Sequence, residues 1–367
     1  MSRPVSALRR LQRNASIEAV LGLAIIVIVG ALGTIPPALH VEPWWPLPFR
    51  FDTDAFTAPA LRVAAVLASA AAVIAAAAVV SLVVSRRRRR AAILALLIAV
   101  AGLIWNLQFF IVPAFPTSFY RSPTSFALGS IARGHELFER HCAGCHGAAG
   151  RGNGPNALAL DMATSDLTAA HVYAHSDGDL FWFIGHGMGD TMPGFGDAID
   201  DRARWNLIDF VHANADAARL QRRAPDGPNA FPAPSFTADC PDASKTLEDL
   251  RGRFVRLVVT EGGAPRSENT DVVTIAVPLG GAHETTDACT LDEPEAAAAL
   301  AVYRGDANAL AGTQLLIDPE GRLRALWYPG RKPDWNDPAA LARELATLRA
   351  APVLGRPQEP SSHAHGH

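Results

Sequence analysis

The chain has 367 residues, long enough for two or three folding units. Its formal net charge of −3 gives no reason to expect nucleic acid as a partner. Apolar residues are unevenly spread: Ala, Val, Ile and Leu crowd the first third.

Within residues 1–120, three apolar runs at about 17–35, 61–84 and 91–112 each approach the ~20 residues that a bilayer requires. The second and third carry no charge beyond Arg62 at one end. Arg3, Arg9, Arg10 and Arg13 precede the first run, and Arg86 to Arg90 separate the second from the third. Basic loops stay in the cytoplasm. The expectation is a domain of three transmembrane α-helices in a bacterial inner membrane, with a cytoplasmic N-terminus and everything after Val112 on the periplasmic side. A cleaved signal peptide is the other reading of the first run, but its length exceeds the usual apolar region. The Arg run reads as a topology anchor that also meets anionic lipid.

Residues 14–51 contain Gly33-Thr34-Ile35-Pro36-Pro37 and, shortly after, His40 beside Trp44 and Trp45. This stretch resembles the last membrane segment of the bacterial copper-resistance protein D family. That resemblance implies a copper contact at His40. The family's other spans are missing, so its transport activity is not implied. The alternative is an interfacial turn with an aromatic belt. Pro113, Pro116 and Pro123 then discourage helix, and residues 114–127 read as a tether.

Cys142-Ala143-Gly144-Cys145-His146 is a Cys-x-x-Cys-His run, the attachment signature of c-type haem. Two thiols on one turn reach the two porphyrin vinyl groups, and the next residue offers imidazole to the iron. A zinc half-site or a disulfide is the bland reading, but no second Cys pair lies at zinc-like spacing. Methionine is the usual sixth ligand beside histidine. Met192, in Thr191-Met192-Pro193-Gly194-Phe195, has the expected context; Met188, His171, His175 and His186 are alternatives. The segment Arg133 to Phe138 (RGHELF), the loop Gly147 to Pro155 (GAAGRGNGP), the Met192-Pro193 turn and Trp205 to Val211 (WNLIDFV) together resemble the class I cytochromes c over roughly residues 128–216. The resemblance implies an all-α cytochrome c domain, placed at 128–220, with its first and last helices crossing and Pro155 on the His146 side. A helix over 130–141 is expected with Ser130 as its cap, and an aromatic helix over 177–188.

Residues 221–234 (QRRAPDGPNAFPAP) are rich in Pro and Gly and read as a linker. Beyond it, 254–260 and 272–277 read as buried strands, 314–317 and 323–327 as a hairpin, and 338–348 as a helix capped by Asp337. The Leu250-Arg251-Gly252-Arg253 turn and the late hairpin resemble thioredoxin-like modules, giving an expected α/β thioredoxin-like domain at 234–350. Where Cys-x-x-Cys should follow the first strand stands Thr260-Glu261-Gly262-Gly263-Ala264-Pro265, so dithiol chemistry is excluded there. Cys240 and Cys289 make either a disulfide or a soft copper site. The tail, 351–367, carries His363, His365 and His367 and reads as a disordered end or a metal-binding tract.

The fold class expected is therefore multidomain: transmembrane α-helices, an all-α cytochrome c domain and an α/β thioredoxin-like domain. Its expected role is not catalysis but one-electron transfer between redox partner proteins, through one covalent haem c ligated by His146 and Met192. Copper handling through His40, the Cys pair or the tail is a second reading. The electron-accepting subunit of a periplasmic dehydrogenase is a third.

Overall fold

The computed structural model describes residues 14–26, 29, 45–51, 59–84, 89–159, 164–221, 230–261, 272–280, 288–291 and 293–350. Residues 1–44 form one unit and residues 45–367 another. His40, the turn before it, most of the expected linker and the His-rich tail lie outside the described residues.

The N-terminal part corrects the membrane expectation. Residues 14–26 are helical, and two longer helices follow in the second unit, α1 (Pro59–Val84) and α2 (Arg89–Leu107), after the short strand β1 (Phe49–Phe51). Among the described residues, no helix is long and apolar enough to cross a membrane. The transmembrane domain, the inner-membrane placement and the membrane as a partner fall with that finding. Two physical reasons account for the misreading. Alanine dominates α1, and its single methyl removes little apolar surface from water. The third apolar run is also not one helix. It breaks at a 3-10 turn, Gln108–Phe110, and continues as β2 (Ile111–Pro113), which pairs antiparallel with β1. Ala68, Ala78, Ala92 and Ala99 are buried where α1 and α2 pack together.

The segment after β2 docks on later helices. The Thr117 hydroxyl donates to the Gly178 carbonyl at 2.6 Å, and Phe115 meets Phe183 edge-on at 4.9 Å. Next come α3 (Leu128–His141), the single turn α4 (Ala143–His146) and α5 (Pro155–Ala159). Then follow α6 (Asp177–His186), the two-strand ladder β3 (Gly187–Met188) and β4 (Met192–Pro193), and α7 (Asp201–Gln221). Helices α3 and α7 approach closely at Gly134, where a Cβ would stand 2.0 Å from the Asn206 carbonyl oxygen. Only glycine admits that contact. Ser130 is not the N-cap of α3; Ala127 occupies that position. The Ser130 side chain instead turns inward, toward α7.

The C-terminal region is an eight-stranded mixed sheet in the order β5-β12-β11-β8-β9-β10-β6-β7. Its strands are β5 (Phe231–Pro232), β6 (Thr237–Asp239), β7 (Ser244–Thr246), β8 (Phe254–Thr260), β9 (Val272–Pro278), β10 (Cys289–Thr290), β11 (Gln314–Ile317) and β12 (Arg322–Trp327). Strands β8 and β9 are parallel, from Phe254 opposite Val272 to Thr260 opposite Pro278. Parallel neighbours need a crossover connection, and its residues, 262–271, lie outside those described. The thioredoxin-like expectation gives way to this larger sheet, whose edge strands are too short to signal themselves in sequence.

Both faces of the sheet are covered, which explains why β8 and β9 are buried and mostly apolar along their length rather than alternating, with Arg256 and Thr274 as buried polar exceptions. Phe254, Leu316 and Trp327 on one face pack with Leu341, Leu345 and Leu348 of α9 (Pro338–Ala350). Val255, Leu257, Ile275 and Leu315 point the other way, into a core that contains Leu300 and Tyr303 of α8 (Ala296–Arg304), Leu128 and Ile131 of α3, and Leu207 and Leu220 of α7. The cytochrome-like helices and the sheet therefore share one hydrophobic core. Main-chain bonds stitch the same seam: Leu128 N–H donates to Ser235 O at 3.2 Å and Ser235 N–H to Phe126 O at 3.0 Å.

Cys240 and Cys289 are disulfide-bonded, so neither thiolate is available to copper. The bridge closes a loop across the β6–β10 edge with a sequence separation of 49. In the chain-entropy model such a loop is worth about 4 kcal/mol. Reduction with excess thiol is expected to lower unfolding free energy by about that amount in urea titrations. An unchanged midpoint would mean that β6–β10 pairing alone holds the edge.

Candidate haem site

The first ligand group is set by two consecutive helix ends. Helix α3 stops at His141, and the Cys142 N–H caps it by donating to Phe138 O at 2.8 Å. Cys142 O then accepts from Cys145 N at 3.1 Å and from His146 N at 2.9 Å, which places both cysteines and the histidine on one tight turn. Both thiols are unpaired and half-buried. Burial, with Cys145 beside it, pushes the Cys142 thiol up to about 12, so it is a neutral thiol at physiological pH.

The loop after the turn folds back under it. Gly152 N–H donates to His146 O at 2.8 Å and Gly154 N–H to Cys145 O at 3.0 Å. At Gly154 a Cβ would lie 2.4 Å from the Gly144 carbonyl, so backbone passes backbone with no room for a side chain.

His146 is oriented by a residue that sequence reasoning missed. Its Nδ1 lies 3.1 Å from the Ser165 carbonyl oxygen. An Nδ1–H donated there fixes the tautomer that leaves Nε2 as a free lone pair, the arrangement metal-ligating histidines adopt. Burial lowers the imidazolium pKa, with the Ser165 bond opposing it. Pro155, expected on the His146 side, starts α5. The motif alone could not identify Ser165, because any residue offers a carbonyl.

The second candidate ligand sits on a separate support. Helix α6 begins with a capping box: Asp179 N–H donates to Ser176 Oγ at 3.2 Å, and Ser176 N–H donates to Asp179 Oδ2 at 3.0 Å. Asp179 is buried and also pairs with Arg50 at 3.1 Å and accepts from the Ser118 hydroxyl. The aromatic helix ends at His186, not Met188, and β3–β4 pairs Gly187 with Pro193 and Met188 with Met192. Met192 is half-buried, whereas Met188 is 46% exposed. Phe195 N–H donates to Ile184 O at 2.8 Å and Gly196 N–H to Gly185 O at 3.0 Å, pinning the hairpin to α6. The His141 ring, adjoining Cys142, meets Phe195 edge-on at 6.1 Å, which ties the hairpin segment to the motif.

The alternative ligands are differently placed. His186 stacks on Trp182 with ring centroids 3.5 Å apart, and His175 meets Phe183 edge-on at 5.2 Å. His171 is exposed on a 3-10 turn. Among the described residues, no group of three or more His, Cys, Asp or Glu is placed to hold a metal ion.

The donor set fits haem c: two free thiols on one turn, an imidazole with a fixed tautomer, and a thioether on a pinned hairpin. Residues 129–211 match the family described as cytochrome c oxidase, cbb3-type, subunit III. Among solved structures, a chain of the Kuenenia stuttgartiensis reducing HAO-like protein complex Kustc0457/Kustc0458 is similar over 31% of this chain, with 22% identity and a TM-score of 0.24. This chain spans 59% of that one, and so low a score carries no argument. No curated protein matches. Residues 129–211 are a cytochrome c domain of the cbb3-type subunit III kind, and a domain of that family carries covalently bound haem c.

Proposed function

We propose that the chain is a one-electron carrier in which Cys142 and Cys145 hold the haem, and His146 and Met192 hold its iron. The observation that carries this reading is the His146 geometry: its Nδ1 is committed to the Ser165 carbonyl, which leaves Nε2 for a metal. When bound, haem supplies a reversible Fe(III)/Fe(II) couple, whose potential methionine ligation raises. The protein's part is positioning. The Cys142–His146 turn fixes one side, and the hairpin pinned to α6 fixes the other. Phe138 and Phe195 supply apolar surface, and the half-buried Met192 favours a closed sixth position. A disulfide elsewhere in the chain suits an oxidising compartment, where covalent haem attachment also belongs.

We further propose that the cytochrome c domain of residues 128–220 and the C-terminal sheet act as one folding unit. Their common core and the Ser235 bonds support this.

Spectroelectrochemical titration of the full chain tests the function. The expected result is a reversible one-electron wave with one haem per chain and no carbon monoxide binding to the reduced form. Rapid carbon monoxide binding would instead indicate an open iron and a small-molecule catalyst.

A further inference from the structure

A second polar centre lies on α7, away from the motif, buried where the cytochrome helices meet α8. Asp209 and Asp216 stand on one side of α7 with His212 between them; both carboxylates are nearly inaccessible, 4% and 2% exposed. Asp209 faces Ser130 of α3, Thr124 ahead of it, Asn206 and His212 of its own helix, and Asp177 of α6. Asp216 faces Tyr173 of the 3-10 turn Ala170–Ala174, His212 and Arg219 of its own helix, and Tyr303 of α8. His212 Nε2 lies 2.9 Å from Asp177 Oδ1, and the Arg219 guanidinium lies over the Tyr173 ring at 4.0 Å.

Two details show that the polar groups of this centre are incompletely matched. The Ser130 hydroxyl has a single hydrogen, yet it lies between two acceptors, Asn206 Oδ1 at 2.8 Å and Asp209 Oδ2 at 2.5 Å. A proton on Asp209 satisfies all three groups with the side chains as they stand. The Tyr303 hydroxyl, on a fully buried side chain beside these carboxylates, has no hydrogen-bond partner. Buried polar groups are normally paired, so this unpaired donor beside two carboxylates marks an incompletely satisfied polar centre.

The same helix reaches the haem loop. Asn214 Nδ2, two residues before Asp216, donates to Ala149 O at 3.1 Å. Phe210, next to Asp209, packs on Phe138 at 4.8 Å, and Phe138 lies 6.4 Å from the His146 ring. Charge is poorly screened across such an interior.

We propose that the α7 carboxylate cluster is a proton site coupled to the haem. One proton enters it from solvent when a redox partner protein delivers one electron to the iron, and that proton leaves when the electron does. The added electron makes the interior more negative and so favours a protonated carboxyl. By linkage, a protonated cluster makes reduction easier. Burial places the groups in the right range, raising Asp209 to about 6 and Asp216 to about 7 from an ordinary 3.8. The inference rests on the carrier reading above.

The test is the haem midpoint potential of the full chain, measured between about pH 5 and 9, a span that brackets ordinary His titration. The expected potential falls as pH rises above about 6 to 7. The limiting slope is a tenfold change in the reduction equilibrium per pH unit, which is 59 mV for one electron. Asp216→Asn is expected to flatten the slope. Tyr173→Phe, which removes a hydrogen bond that favours the Asp216 carboxylate, is expected to move the step to higher pH. A potential independent of pH, or a step that neither variant moves, overturns the proposal. Failure to find any reversible haem wave counts instead against the carrier reading on which it stands.

Discussion

Replacing Cys142 and Cys145 together by alanine is expected to abolish covalent haem staining of the chain on a denaturing gel. Each sulfur adds to one vinyl group, and no other cysteine can substitute, because Cys240 and Cys289 are bonded to each other. The proposed iron ligands, His146 and Met192, survive the substitution, so non-covalent haem can still occupy the folded protein and give a partial spectrum. Denaturation then releases it, which is why the gel is the decisive reading. The single variants are expected to differ. Cys142 packs against the main core, whereas Cys145 does not figure in it. Cys142→Ala is therefore expected to lower stability more than Cys145→Ala, while each alone keeps some stain through the remaining thioether. Full staining of the double variant would place the attachment elsewhere and sink the haem assignment of this motif.

What could be read from the sequence was local. The motif needs only one turn of chain, so its residues are adjacent both in sequence and in space. Strands β8, β9, β11 and β12 and helix α9 fall within a few residues of their expected limits, because each carries a dense apolar signal bounded by turn residues. Asp337 does cap α9, accepting from Ala339 N at 3.0 Å. Ser130 illustrates the opposite case. A serine at a helix start has the local chemistry of a cap, but partners 76 and 79 residues away claim its hydroxyl. Phe231–Pro232 looked like linker from composition, yet it pairs with Arg322 and Leu323 at the sheet edge. The shared core was illegible for the same reason. An apolar helix face records that it will be buried, not what will bury it. For the N-terminal runs, the count of apolar residues outran their apolarity, and the strand pairing of Phe49–Phe51 with Ile111–Pro113 could not be foreseen from either segment alone.

Met192→Ala is expected to erase the low-energy sulfur-to-iron absorption band while haem staining stays unchanged. The midpoint potential is also expected to fall, within the ~0.8 V range over which axial ligands set haem potentials. The substitution leaves the hairpin standing, because its attachments to α6 are main-chain bonds from Phe195 and Gly196. On the proposed ligation only the sixth ligand is lost, so reduced protein should gain carbon monoxide binding at the vacated position. Met188 is the necessary control. It sits directly opposite Met192 in the ladder, and residues so paired share one face of the two strands. On that shared face Met188 is the more exposed sulfur, at 46% against a half-buried Met192, so Met188→Ala should keep both the band and the potential. Loss of the band in Met188→Ala with retention in Met192→Ala would exchange their roles. A band unaffected by either would exclude both sulfurs. The backbone pinning then makes His186, at the end of the same helix, the next group to test: its ring stacks on Trp182, so ligation there should appear as a change in indole fluorescence on reduction.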